Sequence, residues 1–157
     1  MSPALPAHAS GTFTIGDRTV HRLGFGTMRL TGPGIWDEPV DRAECVAVVR
    51  RAVELGVDLI DTADSYGPAV SEAIISEALH PYPSQVLIAS KAGLVRTGPD
   101  AWFPVAQPKY LRQQAEMSLR RLRLDCIPLF QLHRIDEQVP LVDSLGALVE
   151  LRDEGKI

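Results

Sequence analysis

A chain of 157 residues suffices for one ordinary domain with a substantial core, and 45% apolar with 23% charged residues is the balance of a globular protein. A net charge of −4, with no basic run longer than Arg50-Arg51 or Arg120-Arg121, excludes the basic face that nucleic acid or an anionic membrane would need. The two cysteines, Cys45 and Cys126, lie outside any C-x-x-C spacing, so neither a disulfide framework nor a metal site is expected, and a reducing cytoplasm is the expected location.

Residues 1–10 lack a basic n-region and an apolar h-region and read as a flexible arm ahead of an ordered unit over 11–157. No stretch approaches the ~18 apolar residues of a membrane span. Thr12–Ile15 and Arg18–His21 flank Gly16-Asp17, the pattern of a hairpin with a type II′ turn. Leu23–Met28 follows as a strand, then a loop holding Gly32, Pro33, Gly34 and Trp36. Asp41 with Glu44 three residues on suits the start of a helix, whose stripe is Val46, Val49 and Val53 and whose terminator is Gly56.

The order of strand, loop and helix then repeats. Val57–Ile60 is a strand and Ser71–Leu79 a helix; Val86–Ala89 is a strand apolar enough to be buried on both faces. A loop is expected from Gly93 to Gln107, then a helix opening at Pro108 with Leu111, Ala115, Ser118 and Leu122 at helical spacing. Ile127–Leu132 is the last strand, and Val142, Leu145, Leu148 and Leu151 mark a last helix ending near Gly155. Four βα units in succession signify a parallel sheet of the α/β class.

Apolar runs lead straight into Asp61, Lys91 and His133, with Tyr66 five residues beyond the first of these. Singly, each has a plain structural reading: a capping Asp, a half-buried turn Tyr, a solvated Lys, a core His. Their recurrence at successive strand ends favours one shared pocket, because the C-terminal ends of barrel strands form one face. Tyr alone is a poor acid near neutrality, with an unperturbed pKa of about 10. An ammonium beside it stabilises phenolate, a carboxylate keeps that ammonium charged and placed, and an imidazole can donate to a carbonyl oxygen. This set suits reduction of an aldehyde or ketone by hydride, with Tyr supplying the proton.

Leu23-Gly-Phe-Gly-Thr-Met28, Asp61-Thr-Ala-Asp-Ser-Tyr-Gly67, Ala89-Ser-Lys-Ala-Gly93, Ser118-Leu-Arg-Arg-Leu-Arg-Leu-Asp125 and Phe130-Gln-Leu-His133 are similar to segments of the aldo-keto reductases. The resemblance runs from the hairpin to the last residue. It implies a TIM-type (β/α)8 barrel, of which this chain supplies the hairpin and about four units. It implies Asp61, Tyr66, Lys91 and His133 as a catalytic tetrad, with Tyr66 the general acid. It places Gly26, Thr27, Met28 and Asp61 near an NADP(H) cofactor, and Trp36 and Arg134 at the mouth for a small aldehyde or ketone. Pro128 and Phe130 depart from the family pattern, which often has an acidic residue and Tyr there.

Barrels of this kind take ~250 residues, and the family's Ser-Asn pair for the nicotinamide and most phosphate-gripping groups lie beyond the fourth unit. No G-x-G-x-x-G fingerprint substitutes for them. Weak or absent cofactor binding is therefore expected, and the alternatives are a non-catalytic half-barrel that keeps the tetrad, or a subunit that holds nucleotide without turnover. Two open sheet edges further lead us to expect either a homo-oligomer or a missing C-terminal half.

Overall fold

Parallel pairing of four short strands organises the chain. The computed structural model describes residues 5–157. The first hairpin is β1 (Thr12–Ile15) and β2 (Arg18–His21), antiparallel, with positive φ at Gly16 and not at Asp17, as a type II′ turn requires. Next come β3 (Phe25–Gly26), α1 (Arg42–Glu54), β4 (Leu59–Asp61), α2 (Val70–Leu79) and β5 (Leu87–Ala92). A second hairpin, β6 (Leu94–Gly98) and β7 (Ala101–Pro104), precedes α3 (Pro108–Leu122), β8 (Leu129–Leu132) and α4 (Leu141–Asp153). The sheet order is β3-β4-β5-β8, parallel throughout, with helices between successive strands: half of a β/α barrel.

Local chemistry explains the boundaries. The Asp41 carboxylate accepts from the Glu44 N–H at 2.9 Å and so caps α1. That helix ends where Gly56 turns to φ +95°, a position where a Cβ would also meet Leu5 and the His8 ring. Pro108 opens α3, whose Leu111, Ala115, Ser118 and Leu122 are all fully buried. Pro128 stands one residue ahead of β8, whose pairing with β5 begins at Ala89–Leu129, so its missing donor costs the ladder nothing.

The central strand β5 is buried on both faces. Ile60 and Ile88 point to the helices, packing with Val49, Ile74, Ile75 and Leu122. Leu87 and Ala89 point the other way and pack against Val20 of the first hairpin. This hairpin covers part of the inward surface that two open edges alone would expose. It is tied down by His21, whose N–H and Nδ1 reach the two Asp58 carboxylate oxygens at 2.9 and 2.7 Å.

Three expectations are corrected. Pro6–Ser10 form a 3-10 helix rather than a flexible arm, with Ala7 buried and its N–H donating to Leu55 O; residues 1–4 of that arm lie outside the described residues. The expected loop from Gly93 to Gln107 contains β6 and β7. On α4 the buried positions are Ser144, Ala147 and Leu151, while Val142 and Leu145 face solvent. The inward-facing Ser144 hydroxyl donates to Ala106 O at 2.8 Å, in the loop that leads into α3. Among the described residues no helix is long and apolar enough to cross a membrane.

Candidate active site

The register brings the titratable residues to one end of the sheet. Gly26, Asp61 and Ala89 pair in a row across β3, β4 and β5, and Lys91 lies one pleat further along β5. His133 follows β8 directly, its N–H donating to Ala92 O at 2.8 Å. Asp61, Tyr66, Lys91 and His133 therefore meet at the C-terminal strand ends.

Their contacts are specific. Lys91 Nζ donates to Asp61 Oδ2 at 2.7 Å and to Thr62 O at 2.9 Å. It also lies 5.3 Å from the centre of the Tyr66 ring. Tyr66 is buried and meets His133 edge to face, with ring centres 5.7 Å apart. Ser65 Oγ lies 3.3 Å from His133 Nδ1.

Burial pushes the His133 imidazole down to about 4, the Lys91 and Arg134 charges acting in the same direction and Asp61 against them. The ring is neutral at physiological pH. Because the folded state binds the fewer protons, the stability this environment carries is present above the ordinary histidine pKa near 6.5 and is lost as pH falls towards 4. An NMR titration of His133 is expected to show its midpoint near 4, whereas one near 6.5 would mean the ring is open to water.

A cavity of about 350 Å³ opens above these groups, lined by Met28, Ile35, Tyr66, Leu94, Trp102, Pro104, His133 and Arg134. Its wall is mostly apolar and aromatic, with polar groups at Tyr66 and His133 and one cationic side chain, Arg134. That is the composition of a site for a small, largely apolar molecule with one polar end.

Two of the residues singled out in the sequence take other places. Thr27 is fully buried, its hydroxyl donating to Asp61 O at 2.9 Å and accepting from Ser71 Oγ at 2.7 Å. That hydroxyl is held inside the fold, while Gly26 and Met28 are exposed. Trp36 is not in the cavity wall; it bridges to Gly67 and lies 5.8 Å from the Arg96 guanidinium. Trp102, on β7, stands in the wall instead, edge-on to Tyr66. Ile35, Leu94, Trp102 and Pro104 were missed in the sequence, and so was the Ser65 contact. The available signal was Gly98-Pro99-Asp100, a turn between two β-prone runs.

Parallel strands joined by helices, with a cavity at their C-terminal ends, define a protein of the β/α-barrel class. Residues 22–157 match the model of the Aldo/keto reductase family, and the chain belongs to that family. An uncharacterized oxidoreductase of Schizosaccharomyces pombe is 52% identical over 156 residues, covering 99% of this chain and 51% of that protein. Pyridoxine 4-dehydrogenase of Escherichia coli is 40% identical, covering 95% and 54%. Among solved structures, the glycerol dehydrogenase of Gluconobacter oxydans superposes with a TM-score of 0.83 at 35% identity, over 95% of this chain and 47% of that one. An aldo-keto reductase from Klebsiella pneumoniae, solved in complex with NADPH, gives 0.69 at 28% identity, over 88% and 44%. The chain spans about half the length of the curated relatives it matches.

Proposed function

We propose that this chain carries the carbonyl-reducing centre of an NADP(H)-dependent oxidoreductase that converts small aldehydes or ketones to alcohols. The observation that carries the reading is the Lys91–Asp61 pair at 2.7 Å, placed beside the buried Tyr66 ring. When bound, the nicotinamide supplies a hydride. Tyr66 donates its hydroxyl proton to the oxygen that becomes the alcohol. Lys91, held by Asp61 and the Thr62 carbonyl, favours the phenolate left behind. His133 is neutral, and with Nδ1 beside the Ser65 hydroxyl its Nε2 is the nitrogen left to donate to the carbonyl oxygen. Met28 and Arg134 line the cavity; we assign Gly26, Thr27, Met28 and Asp61 to the nicotinamide side and Arg134 to the substrate mouth.

The fit to a dinucleotide is uneven. The apolar cavity with its donors fits the reacting end, but among the described residues Arg134 is the one cation in the cavity wall, too little for three phosphates. Calorimetry is expected to show NADPH binding to this chain weaker than micromolar. A low-micromolar constant would mean that other groups grip the phosphates. The direct test of the function is NADPH oxidation with a panel of small aldehydes, and turnover that survives loss of Tyr66 would sink it.

A second reading, a half-barrel that keeps the four residues without turning over, draws on the same scarcity of cations. It also draws on apolar surface at both sheet edges. A groove of about 370 Å³ beside β3 is lined by residues such as Leu23, Phe25 and Val57. At the β8 edge, Leu141, Val142, Leu145 and Val149 of α4 are exposed. A second copy or a C-terminal half would cover both. Sedimentation at micromolar concentration is expected to show association; a cooperative monomer of 17.2 kDa would refute it.

A further inference from the structure

Arg96, on β6, is half-buried and forms no salt bridge among the described residues, where Asp100 acts on it only from a distance. Among those residues its hydrogen bonds all go to backbone carbonyls and its other contacts are to aromatic faces. Nε donates to Ala101 O at 2.9 Å. Nη1 donates to Ile35 O at 2.6 Å and Ser65 O at 3.1 Å. Nη2 donates to Gly34 O at 2.7 Å and Gly98 O at 3.3 Å. Five bonds match the five N–H donors of the fork, and a lysine could not reproduce them from one nitrogen.

The carbonyls come from three separate segments: the turn of the second hairpin, the 33–35 turn and the loop that carries Tyr66. The guanidinium also stacks on Trp102 at 3.5 Å from the ring centre. Ile35 is held at φ +55°, a conformation a β-branched residue avoids unless its surroundings over-determine it. Its carbonyl accepts the shortest of the five bonds, and its side chain reaches the cavity. A solvated surface arginine has no reason to satisfy three loops at once.

We propose that Arg96 is a positioning residue that locks Trp102 and Ile35 into the cavity wall and so gives the cavity its preference for planar aromatic over aliphatic aldehydes. The preference rests on the carbonyl-reducing reading above; the clamp does not. Arg96 touches no reacting atom. Its effect passes through Trp102, whose edge meets Tyr66, and through Ser65, whose hydroxyl meets His133.

The test uses the whole chain and no cofactor. In Arg96→Lys, amide exchange is expected to accelerate at Asp100, which donates to Gly34 O, and at Gly67, which donates to Ile35 O, while amides of α1 and α3 keep their protection. Unchanged exchange at both positions overturns the clamp. The aldehyde arm uses benzaldehyde and propanal as probes, titrated against Trp102 fluorescence in a Trp36→Phe background and followed by NMR shifts at His133. The Arg96 chain is expected to favour benzaldehyde by about tenfold, and Arg96→Lys to lose that preference while binding propanal unchanged. Equal weakening of both probes overturns the specificity role. If Arg96→Lys does not fold, Trp102→Leu decides by the His133 shifts, because it leaves all five bonds: the preference should vanish with exchange unaltered, and a retained preference overturns the proposal. Failure of the unsubstituted chain to bind either aldehyde refutes the carbonyl-cavity reading and the preference with it, while the exchange result still decides the clamp.

Discussion

Tyr66→Phe is expected to lower carbonyl reduction by about 10²–10⁴-fold in a preparation that turns over, while NADPH affinity stays within about twofold. The substitution removes one oxygen and leaves the ring, so the edge contacts with Trp102 and His133 persist. What is lost is the proton that must arrive as negative charge develops on the carbonyl oxygen. An interaction realised only in the transition state lowers kcat and kcat/KM together. The structure also separates this effect from a packing effect. Lys91 is anchored by Asp61 and Thr62 O, neither of which involves the Tyr66 hydroxyl, so its position survives the change. Steady-state rates with one aldehyde, alongside a fluorescence titration of NADPH, read both quantities. Turnover close to that of the Tyr66 chain would take the proton-donor role from this residue, and Lys91 or a water would have to fill it.

The site was legible because the strand period and the strand ends are written in the same residues. An apolar run such as Val86–Ala89 fixes a buried strand, and the first charged side chain after it marks the strand's C-terminal end. Asp61, Lys91 and His133 could each be read this way, and parallel pairing then brought them together. Trp102 could not be read so. It lies on a short two-stranded excursion whose exposed Phe103 and Pro104 break the alternation, and its place depends on Arg96 reaching across the chain to Gly34 and Ile35. Contacts of that span leave no periodic trace. The environment of Thr27 was unreadable for a related reason: it follows the strand at the right height, and its hydroxyl is drawn inwards by Ser71 and Asp61 O, a network that only the packed α2 creates. On α4 the most apolar stripe is not the buried one: the small Ser144 and Ala147 face inwards, where Ser144 donates to Ala106 O.

Arg121→Met is expected to destabilise the fold by about 3–5 kcal/mol. Its partner Glu72, on α2, has a side chain with no exposure at all, and accepts from Arg121 Nε at 2.6 Å and from the Ser90 hydroxyl at 2.6 Å. Removing the guanidinium leaves a buried carboxylate with one neutral donor. A second carboxyl makes matters worse. Asp64 is buried and pushed up to about 8, first by burial and then by Glu72, with Arg121 among the groups that act against this. Its Oδ1 has no hydrogen-bond partner among the described residues. Without Arg121 the influence of Glu72 on Asp64 loses the cation that now acts against it. For Asp64 the folded state already binds the extra proton, so its contribution is present below the ordinary carboxylate pKa and fades as pH rises towards 8. Loss of Arg121 should steepen this, because a proton is then the remaining neutraliser for the pair. The deficit of Arg121→Met is accordingly expected to be larger at pH 8 than at pH 5 in urea unfolding. The double variant Glu72→Leu, Arg121→Met should recover most of it, since an apolar pair leaves no charge stranded. A single variant within about 1 kcal/mol of the original chain at pH 8, too little for a stranded buried charge, would show that Glu72 reaches water once Arg121 is gone.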